Sequence, residues 1–161
     1  MSQGRKNPSA DEKISSLDLQ IRRGELRDFA ILAELYLRTR RSAFSWLPPE
    51  TFQLEDFYRD TQGELIWLAE DGRAVLGFAS VYVQSAFLHA LYIADHAQGR
   101  GVGRALLSHV IDSTPGRMTL KCLTFNHLAQ TFYAGRGWRV IGSGDSPHGP
   151  YLTFEAPEKA G

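Results

Sequence analysis

The ten residues from Gln98 to Leu107, QGRGVGRALL, hold the chemistry most open to reading. Gly99, Gly101 and Gly103 alternate with Arg100, Val102 and Arg104, and an apolar run starts directly afterwards. Glycine enlarges the entropy of the unfolded chain and gives the folded one nothing to pack. Three of them interleaved with arginine exceed what a turn requires. A strand, a glycine-rich turn and a helix start make an anion site. The first helical amides lack internal partners, the dipole there is positive, and missing Cβ atoms let a phosphate come close. Arg100 and Arg104 add charge-assisted donors. The stretch 98–104 is therefore expected to hold a phosphate or pyrophosphate. A P-loop would need Gly-Lys-Ser/Thr, and there is no lysine here. A dinucleotide site would need G-x-G-x-x-G and a later acid, whereas the spacing is G-x-G-x-G and 118–125 has no acid.

Such a loop needs a strand before it and a helix after it. Phe87 to Ile93 is predicted as that strand and 103–112 as the helix, broken by Thr114-Pro115-Gly116. Met118 to Leu123 follows as a strand, so the unit is a βαβ crossover with parallel strands. Upstream, Leu19 to Ile21 reads as a strand, and Asp28 as the cap of a helix carrying Phe29, Leu32 and Tyr36. Residues 42–49 read as a loop and Glu50 to Asp60 as a second helix. Leu65 to Ala69 and Val75 to Val83 form a hairpin about Asp71-Gly72. Downstream, Asn126 is expected to cap a helix over 127–135. Trp138 to Ile141 and Tyr151 to Phe154 read as strands joined by a loop at 142–149. The expected class is α+β, one domain over 18–157, preceded by a disordered arm at 1–17.

Totals narrow the function classes. Of 161 residues, 43% are hydrophobic, enough for one sizeable core. Lys+Arg and Asp+Glu are both 18, and a zero balance argues against general nucleic-acid or anionic-membrane binding. A lone cysteine, Cys122, forms no intramolecular disulfide, and the five histidines show no metal-ligand spacing. Without the apolar core of a signal peptide in MSQGRKNPSADEKISS, a cytoplasmic protein is expected.

At these residues the chain resembles a known family. Gln98-Gly99-Arg100-Gly101-Val102-Gly103 is similar to the Q/R-x-x-G-x-G/A motif of the GNAT superfamily of acyl-coenzyme A N-acyltransferases. Leu91-Tyr92-Ile93 stands before it at the family's usual distance. A second pattern follows, with Asn126, then Phe132-Tyr133, then Gly137-Trp138. The likeness covers about Leu19 to Glu155. It implies a mixed, mostly antiparallel sheet of about seven strands with four helices. It also implies acetyl-coenzyme A as cosubstrate, with no metal. Leu91 to Ile93 would pair with the pantetheine arm beside a local bulge that opens the cleft, and the amides of Gly99 to Arg104 would hold the pyrophosphate. Asn126 would reach the pantetheine or acetyl region, and Tyr133 would lie beside the thioester sulfur.

Acetyl transfer to an amine needs a base, an oxyanion donor and an acid for the departing thiolate. Tyr133, protonated at neutral pH, is the acid candidate. On the fourth strand the titratable side chain is His89, in Leu88-His89-Ala90-Leu91. That stretch resembles the histidine-bearing strand of serotonin (arylalkylamine) N-acetyltransferase, except that Phe87 stands where that enzyme has a further histidine. Lys121 occupies the place of a glutamate found in the peptide-α-amine branch, which argues against a peptide N-terminus as acceptor. Phe44, Trp46 and His148 are expected around the acceptor pocket. The acceptor, a small-molecule or peptide amine, stays unnamed, and a homodimer stays open. Two other readings stand beside this one: a coenzyme A-binding sensor without a working base, and a nucleotide-binding module on the same anion site.

Overall fold

The computed structural model describes residues 18–72 and 74–159, so the expected arm at 1–17 lies outside the described residues. Seven strands form one sheet in the order β1-β2-β3-β4-β5-β7-β6. They are β1 (Leu19–Arg23), β2 (Leu65–Asp71), β3 (Ala74–Tyr82), β4 (Phe87–Ile93), β5 (Thr119–Leu123), β6 (Arg139–Ser146) and β7 (Gly149–Glu155). Four helices accompany them: α1 (Phe29–Ala43), α2 (Asp56–Asp60), α3 (Val102–Ser113) and α4 (His127–Ala134). Every strand pairing is antiparallel except β4 with β5, the crossover expected around the glycine loop.

Helices cover both faces of the sheet. On one, Leu32 and Tyr36 of α1 and Phe57 of α2 pack on Leu68, Phe78 and Ala90. On the other, Leu106 and Val110 of α3 and Tyr133 of α4 pack with Val81, Leu120 and Phe154. Each large side chain buried this way contributes about 1.5–3 kcal/mol of transfer free energy.

Three local expectations are corrected. Glu50 to Asp60 is not one helix. A 3-10 turn at Pro49–Thr51 and the short α2 flank an extended Phe52, whose fully buried ring fixes the break. Asp28 does not cap α1 with its side chain. Its carboxylate takes two hydrogen bonds from the Arg22 guanidinium and one from the Glu25 amide instead. The segment 142–149 is not a loop, because β6 and β7 run through it to a turn at Pro147-His148. Gly144 belongs inside that hairpin since a Cβ there would lie 2.5 Å from the Tyr151 hydroxyl.

Candidate active site

The glycine loop adopts backbone that other residues rarely do. Gly99 has φ +75° and Gly101, the residue capping α3, has φ +85°. The space where a Gly99 Cβ would point is open. Gln98 anchors the loop start, its side-chain amide donating to the Ile93 carbonyl at 3.1 Å. The loop amides thus gather at the N-terminus of a twelve-residue helix, the arrangement that attracts anions.

β4 and β5 pair only at Phe87↔Thr119 and Leu88↔Leu120, then part. Beyond Leu88 the side of β4 toward β5 therefore has no ladder partner. The cause is visible in the other neighbour: Ser80 of β3 faces Ala90, yet Val81 faces Leu88, so His89 is an extra residue in β4. This is the bulge implied by the family resemblance. A bulge bends its strand and disrupts the ladder locally.

The parted strands open into two clefts. One, about 460 Å³, runs from Gln98 and Gly103 along Ile93 toward α4. The second, about 580 Å³, lies between α1, β5 and the β6–β7 hairpin. They share Leu91, Tyr92, Asn126, Ala129 and Tyr133. The structure thus brings Leu91, Tyr92, Asn126 and Tyr133 to one junction, with the glycine loop at one end and His89 on the other side.

Asn126 caps α4, its Oδ1 accepting from the Ala129 amide at 3.2 Å, and it lines both clefts. Tyr133 is 8% exposed, and its hydroxyl has no hydrogen-bond partner among the described residues. Burial raises its pKa above the ordinary phenol value. Neighbouring Tyr92 is pushed up to about 12, also by burial. Cys122, buried in the same wall, is pushed up to about 11, so its thiol stays protonated at neutral pH.

His89 carries the interaction that the sequence did not show. Its Nδ1 lies 2.5 Å from Oε1 of Glu64, whose side chain is 7% exposed. Ser80 donates its hydroxyl to the other Glu64 oxygen at 3.1 Å. Glu64 sits just before β2, 25 residues from His89 in sequence. The hydrogen bond that His89 donates to Glu64 raises its pKa from the ordinary imidazole value, against desolvation, which lowers it.

Of the expected acceptor-pocket residues, Phe44 and His148 line the larger cleft. Trp46 stands behind Phe44, ring centroids 5.4 Å apart, and leans on Phe125 at 5.6 Å. His148 packs on Phe52. Arg40 reaches this cleft too, but its charge is taken by Asp56 at 3.1 Å, with its guanidinium over the Tyr36 and Phe52 rings.

The sequence model of the Acetyltransferase (GNAT) family matches residues 29–138. The chain belongs to this family and is an acetyltransferase. It is 27% identical over 126 residues to the peptidyl-lysine N-acetyltransferase YiaC of Escherichia coli, covering 75% of this chain and 84% of that protein. Among solved structures, the apo form of YjaB from Escherichia coli superposes with a TM-score of 0.73 at 24% identity, over 85% of this chain and 96% of that one. The PaiA N-acetyltransferase of Thermoplasma acidophilum, solved in complex with coenzyme A, gives 0.70 at 15% identity, over 88% of this chain and 100% of that one. These two likenesses bear on the fold. No described helix is long and apolar enough to cross a membrane.

Proposed function

We propose that the protein transfers the acetyl group of acetyl-coenzyme A to a primary amine by direct attack with both substrates bound. The observation that carries this reading is the meeting of two clefts at Leu91, Tyr92, Asn126 and Tyr133. One cleft begins at the anion-binding loop and follows the unladdered edge of β4. That edge suits an extended, amide-bearing arm added as a strand would be, and the loop suits its pyrophosphate. The other cleft holds His89 and opens toward Phe44 and His148. An amine entering there reaches the junction from the side opposite the thioester.

Glu64 accepts the Nδ1 proton of His89, which leaves Nε2 free for the amine. His89 would take the first proton from the arriving ammonium and pass it to solvent. Backbone N–H groups of β4 near Leu91 and Tyr92 would face the developing oxyanion. A thiolate with an ordinary pKa of about 8.5 cannot strip a phenol held above 10. Tyr133 would therefore pass its proton to the departing sulfur only as its oxygen takes the second proton of the attacking nitrogen, so that the phenol stays protonated and the coenzyme leaves as the thiol. The buried, protonated Cys122 is no nucleophile, and this favours a route without an acetyl-enzyme.

Initial rates of thiol release with both substrates varied test the order. Intersecting reciprocal plots are expected, and parallel ones would refute direct attack. Tyr133→Phe should fold, bind coenzyme A and lose about 10²-fold in kcat. A variant within threefold of the parent would remove Tyr133 from the chemistry.

A further inference from the structure

Lys121 follows Leu120 on β5 as His89 follows Leu88 on β4, each one residue past the last bonded pair, Leu88↔Leu120, and both line the larger cleft. Both side chains flank one ring. The Lys121 ammonium is 6.0 Å from the Phe87 centroid, and the His89 ring stacks at 6.3 Å from the same centroid. Lys121 also stands 4.8 Å over Tyr151. Yet among the described residues no carboxylate lies within ion-pairing distance of it. The other cations of the cleft are spoken for: Arg40 by Asp56, and Arg59 by Asp56 and Asp60. Asp145 lines the same cleft but pairs with Pro150, three rungs from Thr153, the partner of Lys121. That offset is about 10 Å along the strand.

A cation held on aromatic faces beside the base disfavours a polycationic acceptor, because like charges at close range repel. It favours an acceptor with a negative group near its amine. In an α-amino acid a single carbon separates the nitrogen from the carboxylate carbon, so one molecule can present both groups to side chains that line the same cleft. The walls beyond, Phe44, Phe87 and Tyr151, suit an apolar side chain.

Resting on the acetyltransferase reading, we propose that the acceptor is a free α-amino acid with an apolar side chain, and that Lys121 binds its carboxylate while His89 faces its amine. Lys121 thereby sets specificity for a carboxylate-bearing amine over its decarboxylated counterpart and over a lysine side chain in a peptide.

The test compares L-phenylalanine, 2-phenylethylamine and a lysine-containing peptide as acceptors, with thiol release as readout. It uses the full chain, Lys121→Gln and Lys121→Arg. The parent protein should prefer L-phenylalanine over 2-phenylethylamine by about tenfold or more in kcat/KM, the worth of one favourable charge contact. Lys121→Gln should erase that preference through the KM for L-phenylalanine, with kcat within threefold, and Lys121→Arg should keep it. Lys121 is exposed, so folding should survive both changes. If 2-phenylethylamine or the peptide is the better acceptor, or Lys121→Gln keeps the preference, the amino-acid proposal falls while acetyl transfer stands. Thiol release with none of the three overturns this proposal as well. The transfer reading fails separately, if acetyl-coenzyme A shifts the melting point yet no amine of a wider panel releases thiol, which is the behaviour of a coenzyme A-binding sensor.

Discussion

Replacing Glu64 with glutamine removes the carboxylate that hydrogen-bonds His89. The Nδ1–Oε1 contact is 2.5 Å and Glu64 is nearly buried, so it belongs with hydrogen bonds to charged groups, worth about 1.5–3 kcal/mol. His89 is 35% exposed, and solvent screening pulls the figure to about 1.4 kcal/mol or less. Since Glu64 raises the His89 pKa and desolvation opposes it, glutamine should let that pKa fall. In a kcat/KM profile from pH 5 to 10, the acid limb should move to lower pH, with a lower plateau from a weaker base. A stability signature follows with its own sign. A histidine whose folded pKa is raised contributes fully below the unfolded value of 6.5 and loses that contribution as pH rises through the folded value. The melting deficit of Glu64→Gln should therefore be larger at pH 6 than at pH 9. An acid limb that stays in place in Glu64→Gln but vanishes in His89→Gln would refute the coupling.

Gly101→Glu puts a side chain and a negative charge at the start of α3. It should remove the thermal stabilisation by acetyl-coenzyme A, about 2.7 kcal/mol at a hundredfold excess over Kd, read as a melting shift. Asp28 is held down at about 2 by Arg22, so its contribution is present above pH 4 and is lost as pH falls through 2. Asp28→Asn should cost about 1 kcal/mol at pH 7 after allowing for the exposed part of Arg22, and should flatten acid unfolding between pH 4 and 2. Trp46→Ala withdraws support from Phe44 and Phe125. It should raise the KM of the acceptor several-fold and leave that of acetyl-coenzyme A unchanged in steady-state rates.

What the sequence made legible was local. The glycine loop, the Asn126 cap and the placing of Tyr133 depend on residues within one turn or one element, and the structure keeps them together. Glu64 was illegible because its contact with His89 spans 25 residues and three strands, and nothing at positions 60–65 marks it. The β6–β7 hairpin hid behind Gly142, Gly144 and Gly149, since glycine ordinarily argues for a loop. Here the Tyr151 ring occupies the space a side chain at 144 would need. The break at Phe52 was hidden for the opposite reason: the ring is anchored in the core, and tertiary packing overrode a helical pattern.

The bulge at His89 has an evolutionary side. Leu88 faces the α3–α4 layer and Ala90 the α1–α2 layer, as two consecutive residues of a regular strand would, and Leu91 and Tyr92 continue that alternation. The sheet is laid out as though residue 89 were not there. A side chain at this site can change identity without displacing the alternating core residues beside it, so mutation can explore new reactivity there while touching the scaffold's stability chiefly through the Glu64 contact. In most enzymes those two properties are traded against each other; here one surplus residue lets them vary separately.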